Sequence, residues 1–279
     1  MTAAQQVNAD DVVKALALPE RARVDQRVPK KMLAEHGAPT TADRRLLTEG
    51  IEELQWIAAL KPGTVSVPEH RAGGRQYLEL AVLSMQVRAT HGKASQWLRL
   101  AELVHRAVPY PVLLIQALTP NVAASPQDPT PKSPVPLALS LAHKRAAQNE
   151  AGKVVLDGEM VFTDLVGTAH GAVSVAGRLL EVLALDRQPH QDLMALYQGW
   201  VDCLTAAEAA RLTGQFRLPN GAAAAAAQRE ALHVCQRLEQ EAARLRRQAA
   251  KERQIAKQVD LNLALQRLEA SLKAARARL

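Results

Sequence analysis

Aromatic residues and cysteines are both scarce in this chain of 279 residues. Aromatic side chains make up 3% of the sequence, so the core must consist mainly of Leu, Val, Ile and Ala. So few rings also argue against a surface that stacks several bases of a single strand. Cys203 and Cys235 stand alone, with no Cys-x-x-Cys pair. This excludes a disulfide scaffold and a cysteine-based zinc module, and it is typical of a reducing compartment.

Long apolar runs and recognisable catalytic motifs are also lacking. No stretch approaches the ~18 apolar residues of a membrane helix, and Asp10 and Asp11 argue against a signal peptide, so we expect a cytoplasmic protein without a membrane partner. The nearest approach to a phosphate-binding loop, 92–95, lacks its upstream glycine, and 171–177 has the wrong spacing for a nucleophile elbow. The histidines offer no i, i+4 pair for zinc. The sequence therefore predicts no catalytic residue, no metal site and no cofactor.

Proline and glycine punctuate the chain at two places. Six prolines fall between Thr119 and Pro136, which predicts a long loop, and 218–221 is a turn signal. We therefore expect an α/β body at 1–217, a compact mixed sheet with flanking helices, and a separate tail at 222–279. Hydrophobic spacing predicts helices at 42–60, 93–108, 173–185 and 191–212, and strands at 64–67, 77–87, 111–115, 135–142 and 154–162.

The tail has no proline or glycine after residue 221 and is rich in good helix formers. Apolar residues recur at alternating spacings of four and three in two stretches, 231–249 and 261–279, whose phases differ by two residues. We expect one long coiled-coil helix of roughly 80 Å that absorbs this slip near 255–263 by unwinding or bending. Such a helix needs a partner, from a second copy or another protein. The predicted coiled-coil seam is Leu238, Leu245, Leu261, Leu265, Leu268 and Leu272.

Positive charge is concentrated in the same tail. Residues 221–279 carry 12 Lys and Arg against 6 Asp and Glu, a net of +6 out of +7 for the whole chain. A surface with net positive charge attracts nucleic-acid phosphates or an acidic protein surface. The sequence leaves three interpretations open: a nucleic-acid contact, an acidic protein partner, or a charged helix face that contacts only solvent. The predicted contact residues are Arg244, Arg246, Arg247, Lys251, Arg253 and Lys257, together with Lys144 and Arg145 at an exposed strand end.

Acidic residues on the predicted strands leave an enzymatic alternative open. Metal-dependent nucleases place carboxylates on neighbouring strands with a lysine nearby, because Mg²⁺ prefers hard oxygen ligands. Glu79, Asp157 and Glu159, with Lys144, could form such a site if their side chains converge. If they do not, they lie on the solvent face of a sheet. His105, near the end of a predicted helix, is expected to be partly buried rather than catalytic.

Six short segments of the sequence carry a resemblance: 27–31, 107–115, 142–145, 196–197, 251–254 and 259–262. Together they resemble a bacterial family of unknown function, number 4391. Its members are typically encoded beside helicases and adenine methyltransferases in restriction-like phage-defence clusters, and it offers no established catalytic residues. The resemblance implies a non-enzymatic accessory subunit of a DNA-targeting complex with a helicase or methyltransferase partner. The alternatives are an atypical nuclease or a structural oligomerisation protein.

Overall fold

The protein is described here by a computed structural model that covers residues 7–119, 136–148, 150, 152–165 and 172–279. The predicted proline-rich loop lies almost wholly outside these residues. The chain divides into two compact units, Met1–Leu204 and Thr205–Leu279. Within the described ranges, no helix is long and apolar enough to cross a membrane.

The first unit is a mixed α/β arrangement, as its sequence predicts. Its helices are α1 (Ala9–Ala15), α2 (Lys30–Gly37), α3 (Thr41–Gly50), α4 (Pro62–Val65), α5 (Ala94–Ala107), α6 (Ala172–Val182) and α7 (Leu193–Thr213), the last of which continues into the second unit. Its strands are β1 (Arg23–Arg27), β2 (Ile51–Leu60), β3 (His70–Ala72), β4 (Arg75–Tyr77), β5 (Leu80–Val87), β6 (Val112–Leu118), β7 (Leu137–Leu141), β8 (Lys144–Ala146), β9 (Val154–Leu156) and β10 (Val161–Asp164).

Among the described residues, the main sheet has six strands in the order β1-β2-β5-β6-β7-β10. β5 and β6 run parallel, with Ala81 opposite Val112, and the other neighbours are antiparallel. A parallel pair needs a crossover connection, and α5 supplies it. β3 pairs with β4 and β8 with β9 in two small ribbons. A hydrogen bond from the Ala146 amide to the Gly74 carbonyl, 2.8 Å long, joins these ribbons.

The core lies between the sheet and α5. Trp97, Leu100 and Val104 on the apolar face of α5 pack in one cluster with Leu83 of β5 and Leu114 of β6. The continuous apolar run of β6 is buried along nearly its whole length, as expected of a central strand. The predictions of α5 and β6 are therefore confirmed.

The predicted helix at 42–60 is wrong in its second half. The helix ends at Gly50 and β2 follows directly, paired with β5 along its length. Two register shifts, between Ile51 and Glu53 and between Trp56 and Ala58, interrupt the pairing. A bulge adds a residue and reverses the alternation of faces, so buried Ile51, Leu54 and Ile57 recur every three residues and imitate a helix.

Other predicted elements needed smaller corrections. The expected strand at 64–67 is instead the short helix α4, which begins with Pro62 at the position where a missing amide hydrogen costs nothing. The segment at 77–87 contains the end of β4 and all of β5. The segment at 154–162 splits into β9 and β10, and Gly158 between them takes a positive φ of 81°, consistent with the Asp157-Gly158 turn signal.

The second unit contains two long helices, and the expectation of a single rod is wrong. After the end of α7, α8 spans Ala222–Ala249 and α9 spans Ile255–Arg276. Arg246 pairs with Glu269 and Arg276 pairs with Glu239, each at 2.7 Å, so the helices run antiparallel as a hairpin. The two-residue slip in the apolar pattern thus marks a reversal of chain direction rather than a local unwinding.

The seam residues lie on the inner side of this hairpin. Cys235 of α8 packs in a cluster with Leu272 and Ala275 of α9, and Leu238 packs against it. Leu245 and Leu272 are buried, while Leu238, Leu261, Leu265 and Leu268 are partly buried. The apolar face that required a partner therefore has one within the same chain.

Candidate functional site

The tip of the hairpin, residues 247–257, carries a cluster of exposed basic side chains. It comprises the end of α8, the connecting segment 250–254 and the first residues of α9. Arg247, Lys251, Arg253 and Lys257 are exposed there, and none of them forms an ion pair with another described residue. Glu252 is the one acidic residue of the segment, so the tip carries a net charge of +3.

Two of the six predicted tail contacts are already neutralised. Arg244 donates to the Glu241 carboxylate at 2.9 Å, and Arg246 donates to Glu269 of α9 at 2.7 Å. The charge count along the sequence missed these acids because one lies just upstream of the basic run and the other is on the opposite helix. The region that carries unpaired positive charge is therefore smaller than predicted and is confined to the tip.

The connecting segment is held by the acid within it. The Glu252 carboxylate accepts hydrogen bonds from the backbone amides of Gln254 and Arg253, each at 2.8 Å. The bond from Gln254 is the main cause of the lowered pKa of Glu252, and Lys257 adds to it. Beside it lies a shallow cleft of about 520 Å³, lined by Gln248, Lys251, Glu252, Lys257, Asp260 and Leu261. Because the acid is engaged with the backbone, the basic side chains around it are left to face solvent.

An apolar stripe begins at the same tip. Ile255, Val259 and Leu263 of α9 are 78%, 51% and 47% exposed. Their spacing of four residues places them on one side of the helix, away from the seam that faces α8. Contiguous exposed aliphatic side chains on a helix are a feature of protein contact surfaces.

Lys144 does not lie at an exposed strand end, and that prediction is wrong. Its side chain is 3% exposed, and its Nζ donates to the carbonyl oxygens of His105, at 2.6 Å, and Val108 at the end of α5. Burial lowers the pKa of Lys144 to about 7. Lys144 thus satisfies carbonyl groups at the end of α5. The apolar residues before Lys144 indicated that this part of the chain is buried, and not that a strand ends there in solvent. Arg145, the next residue, is partly exposed and lies 3.6 Å from Asp157.

The carboxylates of the nuclease alternative have separate partners. Glu79 pairs with Lys61 at 3.1 Å, and Asp157 accepts from Arg75 at 2.6 Å. Glu159 is exposed between β9 and β10. Across the described parts of the chain, no group of three or more His, Cys, Asp or Glu side chains could hold a metal ion. The structure therefore brings Asp157 near Arg75 and Arg145 and does not assemble a metal-binding centre from the predicted acids.

His105 is completely buried rather than partly buried. Its Nε2 lies 3.0 Å from the Ser140 hydroxyl of β7. Burial, and secondarily the nearby charge of Lys144, lowers the pKa of His105 to about 3, so the ring is neutral at physiological pH. It serves the packing of α5 against the sheet.

A histidine and tyrosine cluster escaped the sequence analysis. Tyr77 Oη lies 2.5 Å from His143 Nδ1, and His70 Nδ1 lies 2.8 Å from the Asp192 carboxylate. The buried Tyr197 hydroxyl donates to the Val112 carbonyl at 2.7 Å and packs against both His143 and Tyr77. The hydrogen-bonded partners are 66 to 122 positions apart in the sequence, so no local spacing could have indicated them.

Comparison with known protein families identifies the class of this chain. It belongs to the family described as Domain of unknown function (DUF4391), whose model matches residues 16–272. The match begins just after α1 and takes in the rest of the α/β unit and nearly all of the helical hairpin. No curated protein and no solved structure matches the chain.

Proposed function

We propose that this protein is a non-enzymatic accessory subunit of a DNA-targeting anti-phage defence complex, and that the hairpin tip contacts the DNA backbone. The observation that carries the proposal is the set of four exposed, unpaired cations at residues 247–257. Phosphate contacts of this kind position a protein on DNA without reading its sequence. The complex itself is proposed from the family resemblance, which implies a helicase or methyltransferase partner.

The test is a mobility-shift titration of the full chain with duplex DNA at low salt. We expect weak, sequence-independent binding that is lost when Arg247, Lys251, Arg253 and Lys257 are all replaced by Glu. Arg244 and Arg246 are left unchanged because both are already paired with acids, and the Arg246–Glu269 pair joins α8 to α9.

A matched control changes the net charge by the same amount elsewhere on the hairpin. Arg237, Arg267, Lys273 and Arg278 are exposed and lie more than two helical turns from the tip. Their replacement by Glu should leave most of the binding intact. Equal loss in the two variants would mean that net charge alone attracts DNA, and absence of any shift with the wild type would remove the DNA contact.

The apolar stripe favours a second candidate, a protein-docking function of the same tip. The aliphatic side chains of Ile255, Val259 and Leu263 cannot bind phosphate. Together with the neighbouring cations, they would complement a protein surface that has an apolar centre and an acidic rim. In this candidate the protein forms a hetero-complex or a homo-oligomer through α9. Replacing the three residues by Ser should then release the partner from complexes isolated from the native host while the DNA shift persists.

A further inference from the structure

Strand β9 of the first unit has one edge that is paired and one that is open. Its partner β8 runs antiparallel to it. The ladder continues past the strand ends, where the Asp157 amide donates to the His143 carbonyl at 2.8 Å. At the other end, the Ala147 amide donates to the Lys153 carbonyl, also at 2.8 Å. Because the hydrogen-bonded positions of an antiparallel ladder alternate, the N–H and C=O of Val155 also face β8.

The backbone groups of Val154 and Leu156 point in the opposite direction, away from β8. Neither residue forms a hydrogen bond on that side with any other residue that the structure describes. On β8, by contrast, the outward amide of Ala146 is engaged, since it donates to the Gly74 carbonyl at 2.8 Å. The open edge of β9 therefore presents two donors and two acceptors with the repeat of an extended chain, and such an edge is a template for a further strand.

A cleft of about 430 Å³ borders β9 on the face that carries the side chains of Val154 and Leu156. Lys144, which lies opposite Leu156 in the ribbon, belongs to the same lining. The rest of the lining comes from the ends of α2 and α5, with apolar Ala38 and Pro39 after α2. A strand added to the open edge would place every second side chain on this face, toward the cleft. Peptide-binding domains that work by strand addition combine these two features, main-chain bonds for affinity and pockets for alternate side chains for specificity.

The charged side chains that line the cleft already have partners. The ion pairs are Arg106–Glu102, Lys153–Glu150 and Glu35–Lys31. Lys144 likewise donates to carbonyl oxygens at the end of α5. A charged group that entered the cleft would therefore lose water without gaining an unpaired opposite charge, whereas an apolar side chain would gain from burial against Val154 and Leu156. The lining thus favours an occupant without charge.

We propose that the open edge of β9 binds an extended, uncharged and apolar segment of a partner protein as an added strand. The backbone of that segment forms hydrogen bonds with the N–H and C=O groups of Val154 and Leu156, and its alternate side chains occupy the cleft. The site lies in the first unit and does not depend on the proposed DNA contact of the hairpin tip.

Amide NMR of the full chain tests the proposal with two capped, uncharged peptides, one that alternates Val with Thr and one that alternates Leu with Ser. With a peptide at about ten times its Kd, hydrogen exchange at the amides of Val154 and Leu156 should slow by about tenfold, because these amides then exchange only from the unbound chain. The amide of Val155 already faces β8 and is the internal control, whose exchange should change little. A peptide with Glu and Lys in place of its apolar residues should not bind. Absence of protection with both neutral peptides, at concentrations up to about 1 mM, would overturn the proposal.

Val154→Pro tests the backbone contact itself. Proline lacks the outward amide hydrogen but leaves the pairing of β9 with β8 intact, since that amide takes no part in it. We expect the affinity for the peptide to fall by about fivefold or more, the equivalent of one backbone hydrogen bond. Val154→Ile keeps the amide and an apolar, branched side chain, and as the matched control it should bind nearly as the wild type does. The exchange measurement on the wild type does not depend on either variant.

Two results with these variants would contradict strand addition by a partner. Equal affinity of Val154→Pro and the wild type would mean that the peptide does not use the edge of β9. A wild-type dimer that Val154→Pro dissociates, as measured by light scattering, without any peptide binding to the wild type, would mean that the edge pairs with a second copy of this chain. Either result would overturn the proposal.

Discussion

Asp43 and Arg99 join α3 to α5 through an ion pair with two parallel hydrogen bonds, each 2.8 Å long. The Asp43 side chain is buried and also accepts a hydrogen bond from the Thr40 hydroxyl. The bonds from Arg99, and then that from Thr40, lower the pKa of Asp43 to about 2. Such bidentate arginine–carboxylate pairs are among the stronger polar contacts in proteins.

Asp43→Asn is therefore expected to lower the free energy of unfolding by about 2 kcal/mol at pH 7. Because folding lowers the pKa of Asp43 from its ordinary value of 3.8, the contribution is complete above that value and disappears as the pH falls toward 2. Urea denaturation of both proteins at several pH values measures this difference. Glu49→Gln, which breaks the exposed pair with Arg45, is the control and should cost at most about 0.5 kcal/mol.

Gly37 allows α2 and α5 to approach closely. A Cβ atom at this position would lie 2.6 Å from Ala107 Cβ and 2.7 Å from the Leu103 carbonyl oxygen. Gly37→Ala should thus force the helices apart and cost about 1–3 kcal/mol. Gly63→Ala is the matched control, since a Cβ there meets nothing within 4 Å, and it should change stability by less than about 0.5 kcal/mol. Equal thermal shifts in the two variants would contradict this account.

Among the helices and strands, those with one uninterrupted apolar pattern could be predicted from the sequence. α5 keeps a single apolar face and β6 is a continuous buried run, so their residues alone identify them. β2 was missed because its bulges break the two-residue alternation on which strand prediction depends. The hairpin was missed because a chain reversal without proline or glycine leaves only a phase change in the apolar pattern.

The inner seam of the hairpin should dominate its stability. Leu272 is buried against Cys235, and Leu272→Ala is expected to cost about 2–3 kcal/mol. Ile255→Ala removes a side chain with the same number of carbons from an exposed position and should cost less than about 0.5 kcal/mol. Amide hydrogen exchange in α8 and α9 reports the difference directly.

Replacing Leu265, Leu268 and Leu272 together by Asp distinguishes an internal seam from an intermolecular one. Because these residues face α8, the variant should lose helical content in the hairpin, as measured by circular dichroism. A lower mass by light scattering with unchanged helicity would instead mean that the seam joins separate chains.

For the whole molecule, the net charge could be predicted from the sequence, but the pairing of the charged side chains depends on the fold. The net charge of residues 221–279 could be counted directly from the sequence, because folding does not change it. Which cations remain unpaired depended on the hairpin, since Glu269 reaches Arg246 only after the chain reverses. The pairs His70–Asp192 and Tyr77–His143 likewise depend on contacts between segments far apart in the sequence.

The number of unpaired cations that contact phosphate determines how steeply DNA binding by the whole molecule depends on salt. If the four tip residues each neutralise one phosphate, the affinity should fall with a log–log salt slope of roughly −3.6. Lys251→Gln removes one contact, so its slope should be shallower by about 0.9. Lys273→Gln, at the other end of α9, should leave the slope unchanged. Fluorescence anisotropy with one duplex across a salt series measures all three slopes. A wild-type slope near zero, or equal slopes in all three proteins, would place any DNA contact away from the tip.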